Sequence, residues 1–302
     1  MAADAVLDCG NDNPSGIARV QSMEASTPET PARGASARPP AGRAPALVDT
    51  HVHTDDARLA PDRDAVLARA RAANVVAQVV PAVSARLWPR VRDVCAADPA
   101  LHACYGLHPC FHDEHRDEHV AELAVWIGRE RPVAVGECGL DYFVPGADKG
   151  RQQHLFAAQL ALAREFGLPI VVHARRAVED VIRMVRASGH YRGVVHSFNG
   201  SEQQAHRLID LGYRLSFGGA VTYARARRLR ALVATLPLDA LMLETDAPDQ
   251  PDAAHEGMRN EPAWLDDVWR SVAELRPEPA EAVARATTAN AVALFDLPAV
   301  DA

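Results

Sequence analysis

The chain has 302 residues, 48% hydrophobic and 24% charged, and carries a net charge of -8. That composition supplies enough apolar side chain for a large core and excludes a wholly disordered or fibrous protein. No apolar run approaches the roughly 18 to 20 residues of a membrane helix, and the acidic balance (pI near 5.9) excludes a long basic groove coating many phosphates.

Residues 1–45 are rich in Ala, Pro, Ser, Gly and Arg, and show neither a helical nor a strand period. They are expected to form a disordered tail, within which Met23 offers a downstream translation start. Asp4, Asp8 and Asp12 with no apolar segment among them do not make a secretory signal, so a cytoplasmic location is expected. Five cysteines (Cys9, Cys95, Cys104, Cys110 and Cys138) at irregular spacing predict free thiols.

From 46 onward, short β-branched runs at 46–50, 75–81, 102–106, 132–137, 168–173, 193–196, 213–219 and 241–246 alternate with Ala/Leu/Arg-rich helical stretches. Eight βα units in roughly 250 residues predict an α/β fold, a (β/α)8 TIM barrel, in preference to an open doubly wound sheet. A last helical segment over 262–295 would close the outer ring, giving a single barrel domain over 46–302.

Polar residues recur at the expected carboxyl ends of these strands: His51, His53, Glu137, His173, His196 and Asp246. Barrel enzymes place their sites on that rim. His51 and His53 alternate onto one strand face and can offer two imidazoles to one ion. HxH alone is a weak signal in a chain with 13 histidines, but six ligand-type residues from five strands on one rim point to metal. Four imidazoles and two carboxylates exceed one tetrahedral shell, so two divalent ions bridged by Glu137 are expected. The only lysine, Lys149, sits in a loop-like stretch unsuited to bridging. Imidazole ligands favour Zn, Mn, Fe or Ni over Mg without choosing among them, and Mg, Mn and Zn are the ions to test.

Other chemistries lack support. His115 to His119 spells HxxEH, yet its acidic surroundings predict a solvated helix start. No GxSxG, GxxxxGK[ST] or GxGxxG motif occurs.

DTHVH at 49–53, YGLHP at 105–109, VGECGLDY at 135–142, LPIVVHAR at 168–175, GVVHSFNGS at 193–201, LMLETDAP at 241–248 and MRNEPAWL at 258–265 stand in register along the chain. In their order and spacing the chain strongly resembles the TatD family of metal-dependent deoxyribonucleases, amidohydrolase-like barrels, over roughly 46–297. The resemblance implies a binuclear barrel that hydrolyses phosphodiesters, often from the 3′ end of DNA. His51 and His53 match the family's HxH, Glu137 its GE, His173 and His196 its later histidines, and Asp246 the aspartate of its ETD. Arg176 stands where an acid is frequent, and Asp249 where an aromatic often follows.

On this reading a metal-bound hydroxide attacks phosphorus, the pKa of its parent water having fallen from about 15.7 towards roughly 7. Asp246 orients that water and takes its proton, with Glu137 as the second catalytic carboxylate. Glu244 is either a support behind the ligands or a buried structural acid. His108 either donates to a phosphate oxygen or packs its loop. Arg175 is expected to clamp phosphate, and Phe198 to stack on a terminal base. Arg225, Arg227, Arg228 and Arg230 share a helix with a buried Leu229, Leu232, Val233 and Leu236 stripe, which turns several of them to solvent. Single-stranded DNA or its ends is the expected partner; no membrane or obligate protein partner is indicated. The rival readings are a barrel amidohydrolase acting on a small amide or ester, and a metal-binding protein with little turnover.

Overall fold

The computed structural model describes residues 45–143 and 146–299; the tail read at 1–45 lies almost wholly outside them. Eight parallel strands follow one another in the order β1 to β8: Leu47–Asp49, Val75–Ala82, Leu101–Tyr105, Ala134–Asp141, Ile170–Arg175, Gly193–Val195, Tyr213–Phe217 and Leu241–Leu243. They form a near-closed TIM barrel. Val, Ile, Leu and Ala dominate these strands and are buried on both faces, as helices outside and neighbouring strands inside require.

The helices α1 to α9 are Arg63–Ala72, Trp88–Ala96, Glu118–Glu130, Lys149–Phe166, Val178–Ser188, Glu202–Asp210, Arg227–Thr235, Leu265–Glu274 and Ala280–Phe295. Their ends follow capping chemistry. Asp148 accepts the Arg151 N–H at the start of α4, which stops at Gly167 in the left-handed conformation. Ser201 and Gln204 cap the start of α6 reciprocally. The apolar stripe expected at 262–295 is divided between α8 and α9, and prolines 277 and 279 fall in the break.

β1 and β8 stand at opposite ends of the strand order, and the loops beyond them close the ring. Thr50 N–H donates to Leu243 O (3.0 Å), Asp246 N–H to His51 O (2.9 Å) and His53 N–H to Ala247 O (2.8 Å). Across the foot of this seam lies α9, whose Thr288 hydroxyl donates to Ala46 O and whose Asn290 amide donates to Leu241 O.

The main departure from the expected strands is β4. The sequence ends it at Glu137, whereas it runs on to Asp141. Gly136 and Gly139 argue locally against a strand, but both adopt positive φ, and a β-carbon at Gly139 would collide with the His173 carbonyl. The glycines bring β4 unusually close to β5, and Glu137 therefore sits within its strand.

Candidate metal centre

Barrel closure gathers all six ligand-type residues at one spot. His51 and His53 follow β1, Glu137 lies in β4, His173 in β5, His196 follows β6 and Asp246 follows β8. Glu137 occupies the middle, and its two oxygens face different groups. Oε2 lies 3.1 Å from His51 Nε2 and 3.8 Å from His53 Nε2, and Asp246 Oδ1 lies 3.6 and 3.5 Å from the same two nitrogens. Oε1 lies 2.9 Å from His196 Nε2, 3.2 Å from His173 Nδ1 and 2.9 Å from His108 Nε2. Two groups of ligand atoms thus share one carboxylate, His51–His53–Glu137 on one side and Glu137–His173–His196 on the other.

The donor set fits a cation. Neither ring nitrogen of the fully buried His51 makes a hydrogen bond, nor does Nδ1 of His196. Buried polar atoms are ordinarily paired, and imidazole and carboxylate are ligands for Zn, Mn or Fe.

Charge in the cluster is balanced internally. Burial opposes ionisation of Glu137, yet His108, His196 and His51 hold its carboxyl well below the usual range. Burial also works against protonation of His53, but Asp246 and Glu137 push it up to about 10. The same contest leaves Asp246 at about 2, burial being outweighed by His53, His51 and His196. His51 is driven down by burial and by His196.

His108 joins this centre. Its Nδ1 accepts the Cys110 N–H (3.0 Å), which places the ring proton on Nε2, facing Glu137. His108 thus braces its own loop through the Cys110 and His115 contacts and also faces Glu137. Glu244, fully buried, lies 3.6 Å from His196 Nδ1 and accepts the Ser197 N–H at 2.7 Å.

Arg175 lines the cleft above the centre, its guanidinium 3.6 Å from the centroid of Phe143. Arg228 also lines it, while Arg225 pairs with Glu256 at the surface. The helix start at 116–118 is solvated as expected, but His115 and His119 beside it are buried, and His115 Nε2 bonds to His108 O at 2.8 Å, bracing the site loop. Lys149 begins α4 with its ammonium over Tyr142, away from the ligands.

Phe198 is a correction as well. Its side chain is 2% exposed and packs edge-on against Phe217 in the core, so no face is open to a base. Ser197 before it has a φ of 44° and turns the chain back inward. Phe198→Ala is expected to lower stability by about 3–5 kcal/mol, and Phe198→Leu by under about 1.5 kcal/mol with hydrolysis unchanged. Denaturant melts and turnover of both variants check this; lost turnover in a stable leucine variant would show that the ring reaches substrate.

Three contacts around the centre escape sequence reading. Asp141 accepts from His173 Nε2 at 2.9 Å. The Gln250 amide donates to Asp246 Oδ2, and Arg58 is clasped between Asp56 and Asp249. Only Asp141 had a usable signal, since strand alternation puts residues 137, 139 and 141 on one face.

Against known proteins, the model of the family described as TatD related DNase matches residues 48–296. The chain belongs to the TatD family. As such it is a metal-dependent hydrolase. It is 40% identical to the uncharacterized metal-dependent hydrolase YjjV of Escherichia coli (strain K12), over 83% of this chain and 98% of that one. It is 36% identical to the hydrolase TatD of Mycobacterium tuberculosis, over 83% and 98% of the two chains. The crystal structure of the E. coli TatD homologue YjjV superposes with a TM-score of 0.81 at 39% identity, covering 83% of this chain and 98% of that one. A TatD-family hydrolase of Entamoeba histolytica shares the fold, with a TM-score of 0.74 at 19% identity over 84% and 99% of the two chains. Among the described residues no helix is long and apolar enough to cross a membrane, and Cys95, Cys104 and Cys138 are free thiols.

Proposed function

We propose that this TatD-family hydrolase cleaves phosphodiesters, acting as a 3′-5′ exonuclease on single-stranded DNA with two divalent ions in its centre. The observation that carries the reading is the Glu137 carboxylate, whose oxygens serve two ligand groups at the floor of an arginine-lined cleft. His51, His53 and Asp246 with one oxygen would hold the first ion, and His173 and His196 with the other oxygen the second. When bound, such ions lower the pKa of water and neutralise charge on phosphoryl oxygens.

The chain's own groups do the rest. Asp246 Oδ1 faces the cluster while Oδ2 is tied to Gln250, which leaves Oδ1 to accept a proton. His108 Nε2–H, fixed by the Cys110 bond, is a neutral donor aimed at the floor of the site. Arg175 and Arg176 stand at the rim, where guanidinium forks match phosphate oxygens. The cleft, about 1110 Å³, exceeds the roughly 300–1,000 Å³ typical of small-ligand pockets, which favours a strand end over a small amide. The net charge of -8 restricts grip to these local arginines and disfavours long duplex.

Protein loaded with Mg, Mn or Zn and incubated with 5′-labelled single-stranded DNA is expected to give a ladder shortening from the 3′ end. DNA left intact with every metal, alongside turnover of small esters or amides, would replace this reading with the amidohydrolase one.

A further inference from the structure

His173 points its Nδ1 inward, 3.2 Å from both Glu137 Oε1 and His196 Nε2. Its neighbours on the floor, His51, His53, His108 and His196, all turn Nε2 towards Glu137. An imidazole that offers its Nδ1 lone pair must carry its proton on Nε2. Nε2 of His173 meets Asp141 Oδ2 at 2.9 Å.

Asp141 is itself rigidly held. Its side chain is fully buried; Oδ1 accepts the Phe143 N–H at 2.8 Å, and Oδ2 also accepts from the Cys110 thiol at 3.3 Å. Gln152 of α4 clamps its backbone from both sides, accepting from Asp141 N–H and donating to Asp141 O at 2.9 Å each.

We propose that Asp141 is a positioning residue for the centre: held by Phe143, Cys110 and Gln152, it fixes the tautomer of His173 so that Nδ1 is the nitrogen available to a metal ion. Carboxylates behind metal-ligating histidines orient the ring and raise its basicity. The proposal rests on metal binding at Glu137 and His173 and is independent of the substrate.

The arrangement makes asparagine worse than alanine at this position. In Asp141→Asn the Phe143 N–H retains the amide oxygen at the Oδ1 position, so the amide NH2 replaces Oδ2 and faces His173 Nε2. A donor there demands an acceptor, which drives the imidazole proton onto Nδ1 and removes the inward lone pair. Asp141→Ala leaves the tautomer free. A purely structural role predicts the reverse order, because alanine also deletes the Phe143 contact, which asparagine keeps.

The test is metal affinity by chelator competition, with the visible spectrum of the cobalt-loaded protein, on wild type and both variants, without DNA. The expected result is one ion weakened by about 10–100-fold in Asp141→Asn, a smaller loss in Asp141→Ala, and a changed cobalt spectrum in the asparagine variant. Equal affinities, or alanine the weaker binder, would overturn the proposal. Should either variant fail to fold, nitrogen-15 NMR of wild-type zinc-loaded protein decides: a protonated Nε2 with a metal-bound Nδ1 at His173 supports it, and the opposite assignment overturns it. Intact DNA in the nuclease assay with these affinities as expected would count against the substrate reading alone.

Discussion

Asp246→Asn is expected to leave a folded protein whose hydrolysis is slower by about 10²–10⁴-fold, the usual worth of a positioned proton acceptor. The two side chains have the same shape, so the hydrogen bonds decide how the amide sits. Gln250 donates to Oδ2, and His51 and His53 lie near Oδ1. Asparagine satisfies Gln250 with its one oxygen and turns its NH2 towards the histidines. That orientation removes both the acceptor and the oxygen ligand at one stroke. Backbone ties at this residue, such as Asp246 N–H to His51 O, are untouched, so the thermal midpoint should move little. Turnover at saturating metal, with a melt on the same sample, checks it; activity within tenfold of wild type would remove Asp246 from the chemistry.

Glu137→Gln is expected to act earlier, on metal loading itself. Its carboxylate, 2% exposed, faces His51 and His53 with one oxygen and His108, His173 and His196 with the other. Glutamine removes the negative charge at the centre of that set and offers one oxygen where two are used. Losing a residue behind a ligand commonly weakens metal binding by about 10–100-fold, and losing the shared ligand should exceed that. Metal analysis after gel filtration should find the bound ions largely gone, and hydrolysis should not return when metal is added at levels that saturate wild type. Retention of the wild-type metal content would show that Glu137 is not shared between the groups.

The clustering of the six ligand-type residues was legible because strand-end histidines and acids are spaced by the βα repeat, and eight β-branched runs announce that repeat without tertiary knowledge. The extent of β4 was hidden by Gly136 and Gly139, which weaken a strand locally and are tolerated here because β5 approaches so closely. Phe198 was misread because two residues beyond a strand end ordinarily means the rim. The left-handed Ser197 reverses the chain, and nothing in its residue type announces that. His115 looked solvated in an acidic stretch, yet its bond to the His108 carbonyl draws it inside. Gln250 and Arg58 acquire their roles through partners that only folding brings near. The Arg58 guanidinium, for example, reaches Asp249, 191 positions away in the sequence.

The seam between β1 and β8 gives the centre a place in time as well as in space. Asp49 accepts from the Thr245 N–H and hydroxyl, contacts that join residues 196 positions apart. An ion between His51, His53 and Asp246 would span the same join. A nascent chain leaving the ribosome carries both histidines long before the aspartate, so it cannot complete that shell until the last strand arrives. Ion capture on this side would then be a late checkpoint that registers completion of the ring. An ion held there would act as a clasp: because it would favour only the closed state, its withdrawal would loosen this junction, which the strand order leaves to loop contacts, ahead of the strand pairs held by ladder hydrogen bonds.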